Sequence, residues 1–129
     1  RPRLFSNPEI LPDFELKLLP AVQTLGSATA GFQSWFEALD CMVEQALAQV
    51  FDVAIVGAGA YGLPLSAELK RQGQTVVHLG GPTQILFGVR GRRWDESPEY
   101  ARLMNDAWIK PTPEDTPPEA LRVDRGVYW

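Results

Sequence analysis

The chain has 129 residues, 45% of them hydrophobic and 22% charged, with a formal charge of -4. This length and balance fit one ordinary globular domain with a small core. They exclude bulk electrostatic attraction to nucleic acid or to an anionic membrane.

The single cysteine, Cys41, rules out an internal disulfide and a cysteine-based metal site. No signal peptide and no apolar run of about 18 residues is present, so the expected location is cytoplasmic. The first residue is Arg1 and not methionine, which points to a trimmed chain or to the end of a longer product.

Pro2, Pro8, Pro12 and Pro20 break any long helix, so residues 1–30 read as an irregular amino-terminal segment. Within it, Phe14 to Leu18 alternates as a short edge strand does. Asp13 and Glu15 would then share one side, either holding a divalent cation beside a phosphate or simply facing solvent. No metal ligand is assigned to them. Gly26 to Gly31 reads as a loop.

Residues 34–50 carry the clearest helix signal. Ser34 with Glu37 three residues later forms a capping box. Trp35, Phe36, Leu39, Met42, Val43, Ala46, Leu47 and Val50 recur at helical steps and predict a broad apolar stripe facing the core. Cys41 falls on this helix as a small apolar residue.

Phe51 to Val56 is a short run rich in β-branched residues, the pattern of a parallel strand buried on both faces. Gly57-Ala58-Gly59-Ala60-Tyr61-Gly62 follows at once and matches G-x-G-x-x-G. Leu63 to Gln72 predicts a helix packed through Leu63, Ala67 and Leu69, stopped by Gly73, and Thr75 to Leu79 predicts a second strand. Such a crossover is normally right-handed, with parallel strands. A glycine turn opening a helix presents backbone N–H groups and the helix dipole to phosphate. The same glycines also serve a tight turn with no ligand at all. The second strand ends in His78-Leu79-Gly80-Gly81 and not in the acid that holds a dinucleotide ribose, which disfavours a nicotinamide or flavin site.

His78 is the only histidine. It is either a packed residue or a catalytic one. Gly80, Gly81, Thr83 and Gln84 fall where open α/β sheets bind ligands, at the carboxyl ends of the strands. A short helix is expected from Thr83 to Phe87. Arg90, Arg92 and Arg93 then place three arginines in four positions, separated by Gly91. Arginine forks suit phosphate, and a solvated turn or a subunit contact is the alternative.

Ser97-Pro98-Glu99 opens a helix expected to reach Asp106 or Ala107, with Tyr100, Leu103, Met104 and Ala107 on its apolar face. Trp108 to Lys110 reads as extended. Prolines 111, 113, 117 and 118 make residues 111–129 a proline-rich extended tail. Its aromatic end, Gly126 to Trp129, is expected to dock on the core or on another chain.

The runs DVAIVGAGAYGLPLSAELKRQG, HLGGPTQILFGVRGRRW, NDAWIKPTPEDTPP and GVYW, with LPDFELKLLPAVQT and FQSWFEALDCM upstream, carry a resemblance. They look like the carboxyl-terminal part of a family of uncharacterised bacterial proteins that accompany surface-glycan genes. That family is more distantly similar to glycosyltransferases of the GT-D fold, which have a Rossmann-like nucleotide-sugar site. The resemblance implies ligand contacts from Gly57, Gly59, Tyr61, Gly62, Gly80, Gly81, Thr83, Gln84, Arg90, Arg92 and Arg93, with His78 as the catalytic candidate.

The resulting expectation is one Rossmann-like, three-layer α/β domain over residues 1–129, with a small, mainly parallel sheet and flanking helices. It binds a nucleotide-sugar or other phosphorylated molecule in glycan metabolism, with glycosyltransferase-like chemistry and no cofactor assigned. The alternative is a non-catalytic, homo-oligomeric interaction module, since so small a sheet leaves edges to cover.

Overall fold

A computed structural model describes residues 3–24, 30–117, 119–122 and 124–128. It is a mixed α/β chain with several helices and one two-stranded parallel sheet. Two compact units divide it, and each is described by itself. The glycine-turn unit is Lys17–Thr83; the arginine unit combines Arg1–Leu16 with Gln84–Trp129.

In the glycine-turn unit, helix α1 spans Trp35–Leu47. The Ser34 hydroxyl accepts from the Glu37 N–H at 3.1 Å, as the capping pattern requires. The Glu37 carboxylate takes the Gln33 N–H at 2.6 Å, one residue before the expected partner. The apolar stripe is narrower than the periodicity predicts. Ala38, Leu39, Met42 and Ala46 are buried, whereas Phe36 and Val50 are 69% and 86% exposed. Val50 lies beyond the helix end and has left its face.

Strand β1 spans Ala54–Val56 and β2 spans Val76–His78, each shorter than the sequence suggests. Ala54, Ile55 and Val56 face Val76, Val77 and His78 in parallel register. Between them run a 3-10 turn, Gly59–Tyr61, and helix α2, Gly62–Arg71. Gly73, at φ +84°, ends the helix in the left-handed region where a glycine costs nothing sterically. Leu69 is 1% exposed and forms one core with Leu65, Tyr61, Val56, Leu39 and Met42. Burying a leucine this fully contributes roughly 1.5–3 kcal/mol. Leu63 and Ala67, expected to pack, point outward, and Leu65 and Ser66 take their place. The Ser66 hydroxyl is satisfied by donating to the Gly62 carbonyl at 2.7 Å.

The expectation that β1 is buried on both faces fails. Ala54, Val56 and Val76 meet the helices, while Ile55 and Val77 on the opposite face are 38% and 47% exposed. Alternation along a strand sends neighbours to opposite faces, and the helical layer in this unit covers one of them.

Phe14 to Leu18, expected as an edge strand, is not a strand. Most of the Gly26 to Gly31 loop lies outside the described residues.

The arginine unit is built on two indoles, Trp94 and Trp108, 3% and 6% exposed. Trp94 Nε1 donates to Gln84 Oε1 at 2.9 Å, and Tyr100 meets its ring edge-on. Trp108 Nε1 donates to the Leu4 carbonyl at 2.9 Å, with Phe5 edge-on at 5.7 Å. Helix α3, Pro82–Leu86, begins in the other unit and runs into this one. Val89 and Ile109 form an isolated parallel bridge, which gives the extended Trp108 to Lys110 segment its partner.

Helix α4 is Arg92–Asp95. Helix α5 is a single turn, Pro98–Ala101, rather than a helix to Asp106. The Asn105 side chain stops its continuation: it accepts from the Ala107 N–H and donates to the Arg3 and Leu4 carbonyls, fixing a turn. The proline-rich segment carries a 3-10 turn, Pro113–Asp115, closed by a Thr112–Asp115 capping box. Ala120 is buried, so the tail is packed at that point.

Candidate functional site

The parallel register sets the geometry of the glycine turn. Both strands point the same way, so Gly57, after β1, and Leu79-Gly80, after β2, leave the sheet at one edge. The Leu79 and Gly80 N–H groups both donate to the Val56 carbonyl, at 3.0 and 3.1 Å, which pins the two loops together.

Gly57 is a close approach. A Cβ there would stand 2.5 Å from Thr83 Oγ1 and 2.9 Å from the Gly80 carbonyl oxygen. The Thr83 N–H donates to that same carbonyl at 3.0 Å. Gly57 is therefore spent on bringing strand, loop and α3 together. Gly59 and Gly80 differ: both have positive φ, +51° and +63°, and a Cβ on either would meet nothing within 4 Å. They line open space. Gly62 stands in helical geometry, and a Cβ on it would lie 2.5 Å from His78 Nε2. The imidazole thus rests over the first residue of α2, at the strand position where a ribose-binding acid would otherwise stand.

Tyr61 is placed differently from a ligand contact. It is 4% exposed, stacked on Trp35 at 4.7 Å with the rings 5° apart, and its hydroxyl shares a 2.7 Å hydrogen bond with Thr24. It braces the turn from inside. The Thr83 hydroxyl oxygen is buried and has no hydrogen-bond partner among the described residues. Orphaning a buried hydroxyl costs on the order of 1–3 kcal/mol, which makes it the unsatisfied polar atom of this edge. Gly81 follows Gly80 in the loop and is half-buried.

Gln84 and the three arginines belong to the arginine unit, where each has a partner. Gln84 holds Trp94 through its oxygen and the Tyr128 carbonyl through its nitrogen. Arg90 Nε pairs with Asp95 Oδ1 at 3.0 Å, and Lys110 Nζ reaches Asp95 Oδ2 at 3.0 Å. The hydrogen bond from Arg90 first, and that from Lys110 after it, hold the Asp95 carboxyl below its ordinary value against the opposing effect of burial. The Arg92 guanidinium donates to the Arg125 carbonyl and lies 3.8 Å from Glu96. Arg93 donates to the Tyr128 hydroxyl at 2.7 Å, with its guanidinium 5.1 Å from the Trp94 ring and 5.5 Å from the Tyr128 ring. A cleft of about 500 Å³ in this unit is lined by Arg90, Asp95, Met104, Asn105, Asp106 and Trp108. Its arginine and Asp95 already neutralise each other.

Asp13 and Glu15 are exposed, and no group of three or more metal-ligating side chains occurs among the described residues. No helix among them is long and apolar enough to cross a membrane. Sequence reasoning missed the roles of Trp94 and Trp108, although an indole N–H with an acceptor at hand is a signal for a buried hub.

Comparison with known proteins finds no matching family model, no similar curated protein and no similar solved structure.

Proposed function

We propose that the glycine-turn unit binds a phosphorylated ligand, a nucleotide-sugar in the first instance, at the carboxyl edge of its sheet. The observation that carries this reading is the unsatisfied Thr83 hydroxyl where Gly57, Gly80 and the start of α3 meet. A phosphate oxygen would give that hydroxyl an acceptor once the side chain turns about χ1. Gly59 and Gly80 supply backbone that a ligand can approach without meeting a side chain. Phosphate is favoured by the start of α2 and by a hydrogen bond from the His78 imidazole.

In a transferase-like reaction the His78 imidazole would exchange a proton with the ligand. The three arginines are left out of this site because their partners lie within their own unit. Glycan metabolism is the setting that the family resemblance suggests. A Rossmann-like, three-layer arrangement is part of the same proposal: its third layer would lie on Ile55 and Val77.

The test is calorimetric titration of the full chain with uridine diphosphate, a uridine diphosphate sugar and inorganic phosphate, with and without manganese. Saturable binding weakened about ten- to a hundredfold by His78→Ala supports the reading, since one hydrogen bond to a charged phosphate contributes roughly 1.5–3 kcal/mol. No heat at millimolar ligand refutes it.

The exposure of Ile55 and Val77 favours a second reading, a homo-oligomeric interaction module, because parallel sheets are ordinarily covered on both faces. In that reading a second copy covers the face, and Ile55→Lys yields a monomer.

A further inference from the structure

The arginine turn that resembled a phosphate site is occupied by the chain's own tail. Three donors read three main-chain carbonyls. The Arg92 guanidinium takes the Arg125 carbonyl, the Arg93 N–H takes that of Val127 at 2.9 Å, and the Gln84 amide takes that of Tyr128 at 3.0 Å. Gly91 forms the floor: a Cβ on it would lie 2.9 Å from the Tyr128 carbonyl oxygen and 3.1 Å from that of Val127. The Tyr128 ring lies against Arg93, which also donates to its hydroxyl. Arg125 and Gly126, both at positive φ, turn the tail into this slot.

Such a set of contacts is peptide recognition. Main-chain carbonyls are read by fixed donors, a glycine permits close approach, and one aromatic side chain has its own cradle. None of these contacts depends on the tail being attached to the same copy.

We infer that the Gly91–Trp94 slot is a peptide-recognition site whose occupant, residues 125–128, exchanges with the same segment of a second copy. The connecting residues 110–124 carry four prolines and extend to about 50 Å at roughly 3.3 Å per residue, enough to reach a neighbouring molecule. Exchange replaces each slot contact with an identical intermolecular one and gives up only the Pro113–Asp115 turn and the packing at Ala120 where the connection extends, which keeps it a low-cost route to a dimer. A tethered tail competes at an effective concentration on the order of millimolar, so the wild-type chain stays closed at micromolar concentration. Emptying the slot of one copy removes that competition.

The experiment mixes two full-length variants of different tagged mass and reads native mass spectra. Gly91→Val blocks the slot and keeps the tail; Tyr128→Ala keeps the slot and spoils the tail. The expected result is a heterodimer of the two, about tenfold more abundant at tens of micromolar than either homodimer, because only the mixed pair joins a good tail to an open slot. Circular dichroism checks that each variant is folded. If Gly91→Val is not, Arg93→Ala serves as the slot variant with the same expected outcome. Absence of the heterodimer up to about 1 mM overturns the inference. So does a Tyr128→Ala homodimer as abundant as the heterodimer, which would place the dimer contact on another surface.

Discussion

Gly62 and Gly57 stand five residues apart in the same turn, and the structure gives them opposite sensitivities. At Gly62 the nearest atoms a methyl group would meet belong to the His78 imidazole, 2.5 Å to Nε2 and 2.9 Å to Cδ2. His78 is exposed and can swing away. Gly62 already has helical dihedrals, φ -55° and ψ -51°, so alanine there gains about 0.5–1 kcal/mol of helix propensity.

Displacing the imidazole from its rotamer and contact costs about 0.5–1.5 kcal/mol. Gly62→Ala is therefore expected to change stability by about zero in the wild-type chain. In a His78→Ala background the same substitution stabilises by about 0.5–1 kcal/mol. Gly57→Ala behaves otherwise in both backgrounds. Its methyl would meet the Gly80 carbonyl and Thr83 Cβ, neither the end of a flexible side chain, and it destabilises by about 1–3 kcal/mol. Urea denaturation followed by circular dichroism measures all of these. If Gly62→Ala has the same effect in both backgrounds to within about 0.3 kcal/mol, the imidazole does not rest on Gly62 and the reasoning fails.

Other outcomes follow from single contacts. Leu69→Ala is expected to cost about 2–5 kcal/mol and Leu63→Ala less than about 0.5 kcal/mol, since Leu69 is 1% exposed and Leu63 66%; equal costs would contradict the placement of the core. Asp95, whose folded-state pKa is lowered by Arg90 and then by Lys110, contributes stability that is present above the ordinary carboxylate pKa. That contribution is lost as pH falls through the lower folded value. Asp95→Asn should accordingly flatten the acid limb of the unfolding curve below about pH 4, and an unchanged limb would exclude the triad. Tyr128→Phe should loosen the tail by roughly 0.5–1.5 kcal/mol, read as faster tail cleavage in limited proteolysis, because it deletes the hydrogen bond to Arg93 and keeps the ring.

Local signals carried part of this structure. Ser34 and Glu37 mark a helix start because capping is settled within four residues. Gly73 marks a helix end for the same reason, since its positive φ needs no distant partner. The strand–turn–helix–strand order around Gly57 was equally legible, down to the parallel pairing. What escaped were long-range partners. The apolar pattern of Phe51 to Val56 does not say whether a second layer exists to cover Ile55. Nor does a Gly-Arg-Arg turn distinguish a phosphate from a row of carbonyls, because both offer oxygen lone pairs to the same donors. Residues 125–128 fill that turn, 32 or more positions along the chain from Arg93.

The geometry of the glycine turn was legible in outline and not in its division of labour. The motif treats its three glycines alike. In the fold Gly57 is filled by Thr83, Gly59 faces open space, and Gly62 makes room for His78.

Ligand binding at the glycine turn is tested by an amide chemical-shift titration of the nitrogen-15-labelled chain with a uridine diphosphate sugar. Saturable shifts clustered at Gly57–Gly62, His78 and Gly80–Thr83 are expected, with Arg92 and Arg93 unmoved. Shifts confined to Gly91–Arg93, or none at millimolar ligand, would contradict binding at that turn.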